Sequence, residues 1–193
     1  MNTADQDIKQ WEAFREGDKE AFACLFREYY QTLFRFGNKF TRDTDLLEDC
    51  IQELFIELWQ SRSKIPVRSV KAYLLKSVKY KLLKAFRKNG RSVPFNEDAT
   101  GMGLGGFEWS HETFLIAKLE SEAKRQQVLS ALTRLSNRQK EIIYLKYYQN
   151  LSYEEVSEIM NINYQAARNL LYQAIKSLKN ILLNSMEVFI AFI

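Results

Sequence analysis

Histidine, cysteine, proline and glycine are all scarce in this chain of 193 residues, and each scarcity excludes something. The one histidine, His111, has no nucleophile pattern near it, so catalysis built on imidazole lacks its parts. The two cysteines, Cys24 and Cys50, stand alone inside helical patterns without metal-ligand spacing and read as buried thiols of a cytosolic protein. Proline occurs only at Pro66 and Pro94, which leaves long stretches open to helix. Most of the seven glycines fall within Gly101–Gly106. That run lacks a following Lys-Ser/Thr and a preceding strand, so it is not a phosphate loop. No apolar run reaches the roughly 18 residues that a membrane-spanning helix needs. The opening MNTADQDIKQ is polar and is no signal peptide. Acidic residues are missing from Lys64 to Asn96. Nothing calls for a cofactor, a metal or a small-molecule substrate, and the enzyme reading has no residue to stand on.

What is present is helical periodicity. An apolar share of 46% supplies real cores, and a net charge of +4 permits an anionic partner without demanding one. Gly17-Asp18 precedes an expected helix from about Lys19 to Phe40. After the polar break Thr41–Asp45, a second runs from about Leu46 to Trp59. Its inward face is Leu47, Ile51, Leu54, Phe55 and Leu58; its outward face is acidic and by default a solvated surface. A third, Val70 to Lys88, turns Leu74, Leu75, Val78, Leu82, Ala85 and Phe86 one way. Lys76, Lys79, Lys81, Lys84, Arg87 and Lys88 fill the remaining arc, with Lys79 and Lys81 near its edges. Like charges at i,i+3 and i,i+4 repel, and a row of phosphates would relieve them. A solvated basic face, or one neutralised by the acidic helix, is the alternative.

Residues 91–112 read as a flexible linker whose Phe95, Phe107 and Trp109 are apolar enough to dock somewhere, a partner's groove included. Helix is expected again from His111 to about Leu135 and from Asn137 to Tyr148. In NLSYEEVSEIMNINYQAARNLLYQAIKSLK, Ser152 and Glu155 form a capping box, and Asn161-Ile162-Asn163 breaks the pattern. A second helix follows with the stripe Ala167, Leu170, Leu171, Ala174, Ile175 and Leu178. Two short helices across a tight turn form a helix-turn-helix, whose second helix enters a major groove; a plain helical hairpin is the alternative. The closing MEVFIAFI is an apolar tail suited to docking on its own domain or on a partner.

Four stretches in this order resemble bacterial sigma factors of the extracytoplasmic-function group, the two-domain members of the sigma-70 family. DKEAFACLFREYYQTLFRFGNKF resembles the family's first helical segment, and DLLEDCIQELFIELW the acidic helix after it. VKAYLLKSVKYKLLKAFRK resembles the promoter-melting helix, and the stretch from Leu132 to Lys179 the C-terminal promoter-binding region. The resemblance implies an all-α chain of two small helical domains joined by a flexible linker. Residues 1–90 would be the N-terminal domain, 91–112 the linker, 113–185 the helix-turn-helix domain and 186–193 the tail.

The resemblance also implies roles. Glu48, Asp49, Gln52 and Glu53 match the motif that binds core RNA polymerase. Lys64, Arg68, Lys76, Lys79, Tyr80, Lys84, Arg87 and Lys88 would meet the minus-ten element, where a base is flipped and strands part. Tyr73 and Tyr80 are aromatics suited to stacking on unpaired bases, with core packing as the other use of Tyr73. Gln165, Arg168, Asn169, Tyr172, Gln173 and Lys176 would meet promoter DNA at the minus-thirty-five element. The sequence departs from the family pattern at Tyr73-Leu74 for Trp-Leu, Tyr80 for Asn, Lys84 for Asp and Leu170 for a basic residue. These changes touch promoter identity rather than polymerase binding. The implied protein is a non-catalytic initiation factor, a monomer when free of partners, cytoplasmic or held at the inner membrane by an anti-sigma factor. A stand-alone helix-turn-helix regulator is the competing reading.

Overall fold

Short local signals decide where each helix of this chain starts. In the computed structural model, which describes residues 3–64, 67–88, 106–109 and 122–190, Asp18 caps the second helix: its Oδ1 accepts the backbone N–H groups of Glu20 and Ala21 at 2.8 and 3.1 Å. Asp43 does the same for Leu46 at 3.1 Å, and Ser69 for Ala72 at 3.2 Å. The chain divides into two units, Met1–Pro94 and Phe95–Ile193. The described residues contain no strand.

The first unit holds α1 (Thr3–Arg15), α2 (Lys19–Gly37), α3 (Thr44–Ser61) and α4 (Val70–Lys88), with a 3₁₀ turn at Arg62–Lys64. Helix α1 was not visible in the sequence, where its segment reads only as polar. Trp11 and Phe14 hold it: both are buried, Trp11 edge-on to Tyr73 at 5.6 Å and Phe14 stacked on Phe22 at 5.5 Å. Asp7 adds a hydrogen bond from the Tyr29 hydroxyl. A helix this short is marginal alone and takes its stability from such contacts. It ends at Gly17, whose φ of +100° suits the left-handed turn after a helix. Gly37 closes α2 for a packing reason: a Cβ there would overlap the buried Leu47 side chain of α3. Leu33, Phe36, Ile51, Leu75, Val78 and Leu82 fill the core between α2, α3 and α4.

The second unit holds α5 (Glu122–Thr133), α6 (Asn137–Ile143), α7 (Tyr153–Met160) and α8 (Tyr164–Ile190). Ser136 with Gln139 and Ser152 with Glu155 form reciprocal capping boxes that start α6 and α7. Asn161 takes the left-handed conformation at φ 51°, ψ 52°, and the Asn163 Oδ1 accepts the Ala166 N–H at 2.7 Å. The turn between α7 and α8 is thus built from the two asparagines that break the periodicity.

Three expectations change. The helix expected through Tyr148 leaves α-geometry at Ile143, and Tyr144–Tyr148 wind as a π turn closed by Gln149 N–H to Tyr144 O at 2.9 Å. The apolar tail is not separate through its first five residues, because α8 continues to Ile190 without a glycine or proline to stop it. Ile175, expected in the apolar stripe, is 40% exposed, whereas Ala167, Leu171 and Ala174 are buried. The expected helix from His111 to residue 121, most of the expected linker, and residues 191–193 lie outside the described residues.

Candidate nucleic-acid interface

Three helix faces carry the candidate residues. On α3, Asp49, Gln52 and Glu53 are exposed and Glu48 is half-buried. Burial, the Glu48 charge and a hydrogen bond to it push the Tyr30 phenol upward. The Lys81 ammonium of α4 reaches across to Glu53 at 3.0 Å and Glu57 at 2.8 Å. The Lys81 hydrogen bond, then its charge, hold Glu53 below the ordinary carboxylate value. Burial pulls Lys81 down, but its bonds to Glu57 and Glu53 outweigh that and hold it above the ordinary lysine value. With Glu53 lowered, the bridge contributes fully above the ordinary carboxylate range and fades as pH falls through the folded-state value.

Beside Gln52 lies an open groove of about 420 Å³ lined by Phe22, Phe26, Phe55, Ile56, Trp59 and Gln60. Ile56 is 57% exposed on the otherwise polar side of α3. The sequence reading missed this groove, although an isoleucine between Phe55 and Glu57, off the inward stripe, was the available signal.

On α4 the exposed residues are Lys76, Tyr80, Lys84, Arg87 and Lys88, spaced so that they form one stripe along the helix. Tyr80 is 59% exposed. Lys79 is a correction: expected on the DNA face, it is 5% exposed, with its ammonium 6.0 Å from the centre of the Phe40 ring. Lys81, at the other edge of the basic arc, is also buried and serves the acidic helix. Tyr73 packs on Trp11, which favours its core use over base stacking. Arg68 is exposed in the loop before α4; the side chain of Lys64 lies outside the described residues.

On α8, Gln165, Arg168, Asn169, Tyr172, Gln173 and Lys176 are all exposed. Their i, i+3, i+4, i+7, i+8 and i+11 spacing places them on one face, opposite buried Ala167, Leu171 and Ala174. Tyr172 is 69% exposed, and the Arg168 guanidinium lies 6.0 Å from the centre of the Tyr164 ring. The Gln165 Nε2 donates to Asn169 Oδ1 at 3.1 Å. A bidentate contact with an adenine edge would use the second lone pair of that oxygen, so the Gln165 bond can hold the Asn169 amide in place while such a base is read. Among the described residues there is no group of three His, Cys, Asp or Glu arranged to hold a metal. No described helix is long and apolar enough to cross a membrane.

The acidic α3 face and the basic α4 stripe fall within residues 25–92, which match the family description Sigma-70 region 2; α7 and the exposed face of α8 from Gln165 to Lys176 fall within residues 125–178, which match Sigma-70, region 4. The chain belongs to the sigma-70 family. It is a sigma factor of the extracytoplasmic-function group, which binds core RNA polymerase, directs it to specific promoters and promotes DNA melting for initiation. The extracytoplasmic-function RNA polymerase sigma factor SigK of Mycobacterium sp. (strain JLS) is 25% identical over 169 residues, 86% of either chain. The fold is shared with CnrH, solved in complex with the cytosolic domain of CnrY, at a TM-score of 0.59 and 17% identity over 91% of this chain and 96% of that one. It is shared too with the sigma factor RpoE of Bartonella quintana, solved with the anti-sigma factor NepR, at a TM-score of 0.55 and 22% identity over 83% and 96%.

Proposed function

We propose that this sigma factor divides its work among the three faces. Glu48, Asp49, Gln52 and Glu53 on α3, with the apolar groove beside Gln52, form the surface that seats on core polymerase. Exposed carboxylates steer the encounter, and the groove supplies the desolvated contact that charges alone do not. Arg68, Lys64 and the stripe Lys76, Tyr80, Lys84, Arg87 and Lys88 receive the minus-ten element, with the cations on phosphates and Tyr80 on an unpaired base. Lys79, buried, takes no part. Gln165, Arg168, Asn169, Tyr172, Gln173 and Lys176 face the minus-thirty-five element. Arg168 and Asn169 are its base readers, and Gln165, Gln173 and Lys176 its phosphate contacts.

The observation that supports this division best is the separation of charge on packed neighbours. Helix α4 carries no acidic residue, its Lys81 is neutralised by Glu53 and Glu57 of α3, and Lys76, Lys84, Arg87 and Lys88 line its exposed side. The domains are residues 1–90 and 113–185, each weak on DNA alone and effective when polymerase holds both. The factor performs no covalent chemistry, acts in the cytoplasm as a monomer when free, and is restrained by an anti-sigma factor, soluble or at the inner membrane. Two neighbours of similar fold are complexes with a second protein, in one case an anti-sigma factor, which supports that last point.

Arg168→Ala tests the recognition face. It should weaken initiation at a promoter of defined minus-thirty-five sequence by about 1–3 kcal/mol and relax preference at one base pair. An unchanged preference in a competition between promoter variants removes Arg168 from the base readers.

A further inference from the structure

Arg168 and Asn169, the two base readers on α8, are each touched by the residue one turn earlier. Gln165 Nε2 donates to Asn169 Oδ1 at 3.1 Å, and the Arg168 guanidinium lies 6.0 Å from the centre of the Tyr164 ring. Residues four apart on a helix face one another, so both contacts are made within α8. Tyr164 differs from Gln165 in what stands behind it. It is the first residue of α8, and Tyr153 is the first residue of α7. Their rings meet edge-on at 5.7 Å across the turn. A cap fixes the backbone beneath each ring: Ser152 Oγ accepts the Glu155 N–H at 3.2 Å, and Asn163 Oδ1 accepts the Ala166 N–H at 2.7 Å. Behind Tyr153 comes Lys146 of the π turn, whose ammonium lies 4.8 Å from the centre of that ring and donates to the Leu151 carbonyl at 2.7 Å. Lys146, Tyr153, Tyr164 and Arg168 thus form a row from the π turn to the recognition helix. Tyr164 is 43% exposed, so filling the core does not account for it.

We propose that Tyr164, backed by Tyr153, is a positioning residue that holds the Arg168 guanidinium for base reading and so sharpens the choice of one minus-thirty-five base pair. The proposal rests on the reading of Arg168 as a base reader. A free arginine side chain has many rotamers, and ordering it on a base costs binding free energy. A ring that favours one arrangement beforehand reduces that cost. Held in place, Arg168 turns less easily to a phosphate or a neighbouring base, so the gain falls on the right base pair. A ring face also suits the task better than a carboxylate would. A carboxylate takes guanidinium N–H groups as its partners, whereas attraction to a ring face leaves those donors free for a guanine edge.

The test uses the full chain with core polymerase, on a promoter that the wild-type holoenzyme selects from a random-sequence pool. Variants of that promoter, changed at one minus-thirty-five base pair at a time, compete with the parent. Arg168→Ala is read first, and the base pair at which it relaxes preference is the one that Arg168 reads. There Tyr164→Leu should cut the preference roughly two- to fivefold, the worth of an exposed contact between a cation and a ring, and leave the other pairs as they were. Tyr164→Phe keeps the ring and should keep the preference. In the Arg168→Ala chain, Tyr164→Leu should change nothing further, since Tyr164 acts through Arg168. The preference is a ratio between two promoters for one protein, so a smaller folded fraction cancels from it. Wild-type preference in Tyr164→Leu overturns the proposal. So does an equal loss with and without Arg168, which would make Tyr164 a DNA contact in its own right. A loss in Tyr164→Phe as large as in Tyr164→Leu overturns it too, because the effect would then belong to the hydroxyl. If Arg168→Ala relaxes no base pair, the base-reader reading itself fails, and the proposal falls with it.

Discussion

Asp49→Lys combined with Glu53→Lys is expected to weaken binding to core polymerase by roughly 30- to 1,000-fold, about 2–4 kcal/mol. Both carboxylates are exposed on α3 and flank Gln52 and the apolar groove. Reversal replaces attraction with like-charge contact at a partner built for anions, which costs more than neutralisation does. The effect on folding should be small by comparison. Glu53 gives up its bond to Lys81, but Lys81 keeps Glu57 at 2.8 Å and is not left buried without an anion. Glu53 is exposed although Lys81 is buried, so losing this one arm of the bridge costs on the order of 1 kcal/mol, which shifts the melting of a small domain by several degrees. Fluorescence anisotropy with labelled sigma factor measures the binding, and thermal melting measures the fold. Wild-type affinity in the double variant would place the polymerase face elsewhere.

The second large effect belongs to α4. Replacing Lys76, Lys84, Arg87 and Lys88 together by glutamine should lower promoter affinity at physiological salt on the order of a hundredfold. The clearer signature is the salt dependence. Each lost phosphate contact removes about 0.7–0.9 from the slope of log affinity against log salt, so the four together should flatten it by roughly three. Lys79→Met makes the contrast. Lys79 is a lysine of the same helix, but it is buried against Phe40 and should leave the slope as it was. Holoenzyme titrations of promoter DNA across a salt series read both. An unaltered slope in the quadruple variant means that α4 does not track phosphates.

The residues that could be read in advance share a property: their role is settled within one turn of chain. Ser152 with Glu155, Asp18, and the pair Asn161 and Asn163 satisfy helix ends from three or four residues away, so sequence spacing alone locates them. That Gln165, Arg168, Asn169, Tyr172, Gln173 and Lys176 share one exposed face of α8 was legible for the same reason, since helical spacing puts them opposite the apolar stripe. Features made by distant parts were not. Helix α1 carries only a few apolar residues, and its fate depends on Tyr73 and Phe22, contacts no local pattern reveals. Lys79 and Lys81 sat at the edge of a basic arc, and only the neighbouring helix decides that an edge position turns inward. The π turn starts at Tyr144, whose ring meets Phe107 from far along the chain, a contact no local pattern reveals, so an unbroken helix was the natural expectation there. The groove beside Gln52 requires α2 and α3 side by side.

The family assignment and the geometry meet in one claim: this chain converts core polymerase into an enzyme that starts at chosen promoters, and it does so through exposed helix faces. Transcription from a pool of genomic fragments by purified core polymerase, with and without the chain, tests it most directly. Transcripts that begin at defined positions only when the chain is present, and that disappear with Asp49→Lys and Glu53→Lys, are the predicted result. Equal transcription with and without the chain, on fragments it nonetheless binds by itself, would contradict it and favour a stand-alone regulator.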